Sequence, residues 1–151
     1  MLQKLASISD KSIQLHHGQF LSYQPRPYIS AGISAGFPSP ALDFIDLAID
    51  LNEHLIKHPS ATFYGRVQGN SLTLAGIDDG DLLIIDRSVE VHHGQIAVCY
   101  IDGNFTAKRI HINATKEVWL VPENKDYKPL KLSPDNDFFI WGIVTYVIKK
   151  M

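Results

Sequence analysis

Between Thr62 and Ile148 the sequence is a succession of short β-prone runs separated by turn residues, and nothing else in it constrains the fold as strongly. Thr62-Phe-Tyr-Gly-Arg-Val67 reads as a strand. Asp78-Asp-Gly-Asp81 is a turn before Leu82-Leu-Ile-Ile85, and His92-His93-Gly94 turns into a run over 95–101. Asp102-Gly103 is a strong two-residue hairpin signal, with 104–112 returning as the partner strand. Residues 117–121 and 138–148 complete the set. Such a series predicts a mainly β domain of short, mostly antiparallel strands, as a sandwich or a folded-over sheet. One helix-like stretch precedes it. Phe44, Leu47, Leu51 and Leu55 recur at helical spacing and predict helix over 42–57, with Asp50 a candidate cap for a second short turn. The last run, FFIWGIVTYVI, is apolar on both faces, so it belongs either at the centre of the fold or at the interface of a homodimer.

The chain divides near residue 36. Residues 1–35 hold few large apolar residues in any regular period, and Pro25 and Pro27 bias their neighbours toward extended backbone. Ile29-Ser-Ala-Gly32 is repeated as Ile33-Ser-Ala-Gly36, a small-residue strap. The expected organisation is a flexible arm over 1–35 and a folded domain over 36–151. Lys4, Lys11 and Arg26 against Asp10 give the arm a net charge of +2. The whole chain carries −2, from 14 Lys+Arg and 16 Asp+Glu, so the remainder carries −4. A chain without a basic surplus is not built to grip phosphate backbone, so direct DNA binding is not expected. A single cysteine, Cys99, excludes a disulfide framework and a cysteine-based zinc site. No run approaches the ~18 apolar residues of a membrane span, which points to a cytoplasmic protein with no membrane role.

Val67-Gln-Gly-Asn-Ser71-Leu-Thr-Leu-Ala-Gly-Ile77 places a serine just after a strand and a glycine. Gly69 permits a sharp turn, and Ser71 would then open a short helix whose free N–H groups face whatever its hydroxyl attacks. The ordinary alternative is that Ser71 caps that helix. A nucleophilic serine needs a base. The seven histidines form the pairs His16-His17 and His92-His93 with His54, His58 and His111 alone, and none has metal-ligand or catalytic spacing. No metal and no cofactor is expected. Lysine is the other candidate. Thr106, Lys108 and Ile110 share one face of their strand, and if that face points inward, burial makes Lys108 available as a neutral base. Alternation leaves open whether that face is inward or solvated.

Several motifs together carry a resemblance. Gly36-Phe-Pro-Ser-Pro40, Asp50-Leu-Asn52, His58-Pro-Ser-Ala-Thr62, Gly69-Asn-Ser-Leu72, Gly76-Ile-Asp-Asp-Gly-Asp-Leu-Leu-Ile84, Asp102-Gly-Asn-Phe-Thr-Ala-Lys108 and Trp141-Gly-Ile-Val144 stand in register with the UmuD-type members of the LexA-like family of serine–lysine peptidases. The chain resembles them from Gly36 to its end, and much less over the first thirty residues. The resemblance implies that Ser71 is the nucleophile, Lys108 the general base and the Ser71 backbone N–H the oxyanion donor. The bond cut would be Ala35–Gly36. It further implies cleavage stimulated by the RecA–single-stranded-DNA filament, and a trimmed homodimer that joins a UmuC-type error-prone polymerase subunit, with a sliding clamp as a further candidate partner. Asn70 and Leu72 replace the family's commoner Asp and Met, which implies an altered rate rather than lost activity. Ala31–Gly32 repeats the cleavage dipeptide, and only Phe37-Pro38 singles out the second copy. The alternatives are a cleavage-deficient interaction module of the same family and a LexA-like repressor. For the repressor, 35 residues with two prolines leave too little chain for a helix-turn-helix.

Overall fold

The computed structural model describes residues 13–17, 24–29, 45–135 and 137–151. In chain order the strands are β1 (Ile13–His17), β2 (Arg26–Ile29), β3 (Ile45–Ile49), β4 (Thr62–Val67), β5 (Leu82–Asp86), β6 (Ile96–Ile101), β7 (Asn104–Ile112), β8 (Val118–Val121), β9 (Leu130–Lys131) and β10 (Phe138–Ile148), with one α-helix, α1 (Leu51–Leu55). They fall into two units, one of residues 1–18 with 60–151 and one of residues 19–59.

The larger unit is a single eight-stranded sheet in the order β1-β4-β5-β10-β6-β7-β8-β9, every pair antiparallel. β1 pairs with β4 at one edge and also touches β7, far across the order, so the sheet rolls over on itself. Of the two architectures expected from sequence, the folded-over sheet is the one found. Strands β4, β7 and β10 span the residues expected of them, and β5, β6 and β8 begin or end within a residue. The Asp102-Gly103 signal is realised in full. Ile101 pairs with Asn104, and both turn residues have positive φ, 48° and 84°, the conformation that a tight two-residue hairpin demands.

Two buried clusters hold the sheet. One joins Val67, Leu72, Ile77, Leu83, Ile85, Val98 and Ala107, with Phe105 and Trp141 packed against it. The other joins Ala97, Cys99, Ile110, Leu120 and Ile143. β6 and β10 send side chains into both, which is why their sequences read as unbroken apolar runs. The doubly apolar β10 is central, between β5 and β6, although Tyr146, Val147 and Ile148 at its end are exposed. Leu72, next to Ser71, belongs to the first cluster, whereas the Lys108 face of β7 meets the second, since its cross-strand partner Ala97 and its same-face neighbour Ile110 both belong there.

In the smaller unit β2 and β3 form an antiparallel pair, with Arg26 opposite Ile49 and Tyr28 opposite Leu47. This corrects the helix expected over 42–57. Among the described residues of that range, 45–49 are a strand and helix occupies only Leu51–Leu55, while 42–44 lie outside the described residues. Ile45-Asp-Leu-Ala-Ile49 also satisfies a period of two, and with β-branched residues at both ends it takes the available pairing with β2. The cap at Asp50 is as expected. Its carboxylate accepts from the backbone N–H of Asn52 at 2.8 Å and of Glu53 at 3.3 Å, and from that of Gln24. The Gln24 N–H foremost, with those of Glu53 and Asn52, holds the Asp50 carboxyl below the ordinary value against the opposing effect of burial. A cavity of about 330 Å³ lies beside this cap, lined by Gln24, Arg26, Asp50, Leu51 and Asn52, and it includes no candidate catalytic residue.

Candidate active site

β4 delivers the chain to Ser71, and the acidic turn that follows fixes the route. Val67 N–H donates to the Asp81 carbonyl and Gly80 N–H to the Val67 carbonyl, both at 2.9 Å. Gly69, at φ +87°, turns the backbone where a side chain would be strained, and its N–H donates to Asp79 Oδ1 at 2.7 Å. Asp78 and Asp81 are tied in turn by Lys149, whose ammonium lies 2.6 and 2.8 Å from their carboxylates. These carboxylates hold the Lys149 ammonium above its ordinary value.

The helix expected after Ser71 is a single 3₁₀ turn, Thr73–Ala75, closed by Gly76 in the left-handed region. Ser71 does not cap it. The cap position is Leu72, and Thr73 donates both its N–H and its hydroxyl to the Asn70 carbonyl, at 3.4 and 2.9 Å. Among the described residues the Ser71 hydroxyl and backbone N–H take part in no hydrogen bond, while the side chain is half-buried. A hydroxyl held on a fixed turn with no structural task is free to react, and the N–H beside it is free to receive developing negative charge.

Lys108 lies on the inward face of β7, a question that alternation left open. It is 9% exposed, and its Nζ donates to Thr106 Oγ1 at 2.9 Å, two residues away on the same face. No carboxylate pairs with it among the described residues. Burial pushes the lysine below its ordinary value of 10.5, and the neighbouring Cys99 only partly offsets this. Cys99 is itself pushed up to about 12 by burial, so it remains a thiol. Lys108 therefore sits where burial favours its neutral form more than water does.

The loop after β8 connects the two segments. The Glu123 carbonyl accepts from Leu74 N–H at 3.3 Å, and Asn124 Nδ2 donates to the Asn70 carbonyl at 3.3 Å. The Tyr127 ring centroid lies 5.8 Å from Lys108 Nζ, and Glu123 pairs with Arg109 next to Lys108. One loop thus touches both the Ser71 turn and the Lys108 strand. Thr106 was within reach of sequence reasoning, since it shares the Lys108 face. Asp79 stood inside a segment read only as a turn. Asn124 and Tyr127 gave no signal, because their contacts join residues 54 and 19 positions apart in the chain.

Two of the histidines, His93 and His111, serve structure. His93 Nδ1 accepts from Ile112 N–H at 3.0 Å and packs edge-on against His111. No group of three His, Cys, Asp or Glu among the described residues could hold a metal ion. No helix there is long and apolar enough to cross a membrane. Ala35 and Gly36 lie between β2 and β3 in the chain, outside the described residues.

Asp79 makes a direct prediction. Its carboxylate holds Gly69, whose positive φ turns the chain toward Ser71, so Asp79→Ala is expected to slow any reaction of Ser71 roughly tenfold, the effect of losing about 1.4 kcal/mol of positioning. Asp79→Asn, which keeps an oxygen acceptor, is expected to restore most of the rate. Equal rates in the Ala variant and the parent would remove Asp79 from the positioning of the serine.

Residues 27–145 match the model of the "Peptidase S24-like" family. The chain is 42% identical over 121 residues to protein MucA of Salmonella typhimurium, covering 80% of this chain and 82% of that one. It is 39% identical over 125 residues to protein ImpA of Escherichia coli, covering 83% and 84%. It is 36% identical over 115 residues to the LexA repressor of Stenotrophomonas maltophilia, covering 76% of this chain and 52% of the repressor. A mainly antiparallel β unit, a family match over most of the chain and relatives of near-equal length establish that this chain belongs to the S24-like peptidases, as a UmuD-like member of the LexA-related group.

Proposed function

We infer that the protein is a self-cleaving serine–lysine peptidase that cuts its own Ala35–Gly36 bond. The observation that carries this reading is Lys108, a buried amine with a hydroxyl partner, no carboxylate partner among the described residues and a lowered proton affinity. Structural lysines seldom accept such burial without a counter-charge. Neutral Lys108 takes the Ser71 proton as Oγ attacks the Ala35 carbonyl carbon. The free Ser71 N–H stabilises the resulting oxyanion. Lys108 then gives the proton to the departing Gly36 amine as the C–N bond breaks, leaving an ester on Ser71. Water, deprotonated by Lys108, hydrolyses that ester and releases residues 1–35. A substrate tethered to its own enzyme needs little intrinsic affinity, which suits a strap of Ala, Ser and Gly.

The wider role follows the UmuD-like kinship. The intact chain responds to the RecA–single-stranded-DNA filament, and the trimmed 36–151 homodimer joins a UmuC-type error-prone polymerase for translesion synthesis, with a sliding clamp as a further partner. The acidic charge of −4 on the trimmed chain suits a protein that meets DNA through such partners rather than directly. Intact-mass measurement after incubation with activated RecA filament tests the reading. The expected result is two products, residues 1–35 and 36–151. A cut after Ala31 would move the site to the first repeat, and a chain that stays whole under filament and at alkaline pH would overturn the peptidase reading.

A further inference from the structure

β1 lies within the arm that cleavage would remove, yet it is hydrogen-bonded into the catalytic sheet. Ile13–His17 pairs antiparallel with the whole of β4 beyond its first residue, from Ile13 opposite Val67 to His17 opposite Phe63. β4 has β5 on its other side, so β1 takes up the only edge that β4 offers. β4 is also the strand that delivers Ser71, four residues after Val67. β1 reaches β7 as well, the strand that carries Lys108. The arm therefore covers the edge leading to the nucleophile and approaches the strand of the base.

An exposed edge beside a peptidase serine binds extended peptide through main-chain hydrogen bonds. The sequence Ile29-Ser-Ala-Gly-Ile-Ser-Ala-Gly36 is rich in Ala, Ser and Gly, whose small side chains would suit such an edge. Two segments of one chain cannot pair with the same backbone groups at once. Resting on the peptidase reading of Ser71 and Lys108, we propose that the free side of β4 is a strand-addition site, that β1 is its resident occupant, and that the scissile stretch reaches Ser71 only when β1 has left. β1 is a competitor built into the substrate. Its five residues form a short edge strand, marginal enough to exchange, and whatever favours its departure starts the reaction. Once the bond is cut, β1 belongs to the released fragment and loses its tether. The β4 edge is then open to an extended segment of another protein.

Locking β1 in place tests this. Gln14 and Arg66 are register partners, close enough for a disulfide across the pair. In the full-length Gln14→Cys/Arg66→Cys chain, oxidation is expected to slow self-cleavage at pH 9 at least tenfold, and reduction to restore the rate. Buried Cys99 stays out of the exchange. Equal rates in the oxidised and reduced forms would overturn the proposal. A second arm needs no cleavage. A labelled peptide of residues 9–21 is added to full-length Leu15→Pro, whose proline breaks the β1 ladder opposite Gly65, and binding is read by fluorescence anisotropy. Binding at least tenfold tighter than to the parent chain is expected, and equal or absent binding to the folded variant would overturn the strand-addition site. If the parent chain never cleaves, the reading of Ser71 and Lys108 fails, and the peptide arm alone decides whether β4 accepts a strand.

Discussion

Replacing Lys108 by arginine is expected to abolish the proposed self-cleavage at every accessible pH, the largest effect expected of any substitution that keeps the charge. Arginine holds its proton under all conditions in which proteins survive, so it preserves a cation while removing the base. Lys108→Met, which removes both, is expected to be equally inactive. In the parent chain the rate is expected to rise with pH from neutrality and to level off below 10.5, the ordinary lysine value, because burial has lowered the proton affinity of this amine. Rates measured from pH 6 to 10 check this. A flat profile in the parent chain, or activity in Lys108→Arg, would remove lysine from the role of base.

The same burial has a consequence for stability. The folded state disfavours the ammonium, so the unfolded chain binds this proton more tightly. Below the lowered folded value both states are protonated, and the buried charge costs stability throughout that range. As pH rises from that value to 10.5 the folded chain sheds the proton first, and the cost disappears. Lys108→Met is therefore expected to unfold at a higher temperature than the parent at pH 7, with the difference shrinking toward pH 10. A variant that is inactive and yet more stable is the signature of a residue kept for chemistry. A lower unfolding temperature for Lys108→Met at pH 7 would mean that the amine supports the fold.

Ser71→Ala is expected to reduce self-cleavage by at least about a thousandfold, the scale seen when a peptidase loses its nucleophile. The change should leave the fold alone. The Ser71 hydroxyl makes no hydrogen bond among the described residues, and the turn around it is held by Thr73, Asn70 and Leu72. Unfolding by denaturant should place Ser71→Ala within about 0.5 kcal/mol of the parent, as for surface substitutions away from structural contacts. Full-length chain after prolonged incubation with activated RecA filament, in a variant of parental stability, is the result that assigns the nucleophile. Cleavage at the parental rate would transfer the role elsewhere.

Local signals were strong in the body of this chain and weak before it. β4, β7 and β10 and the Asp102-Gly103 hairpin could be read directly, because strand alternation and the positive φ of a tight turn are written in neighbouring residues. Residues 42–57 misled for the same reason. Leu47, Leu51 and Leu55 fit a helix, and the strand at 45–49 became visible only with its partner β2. β1 was equally hidden. Nothing in Ile-Gln-Leu-His-His announces that it pairs with Phe63–Val67, some fifty residues later.

At the site, sequence alone determined the two residue types that chemistry would need, a serine after a glycine turn and a lysine on an alternating strand. It could not determine whether either was free to act. The tertiary structure decided that the Ser71 hydroxyl is not a helix cap, since the helix starts two residues later at Thr73. It also decided that the Thr106–Lys108 face turns inward, against Cys99 and under Tyr127. The physical reason is that a proton affinity depends on what surrounds a group from every side. For Lys108 those surroundings come from β6, β7 and the loop after β8, which only folding brings together.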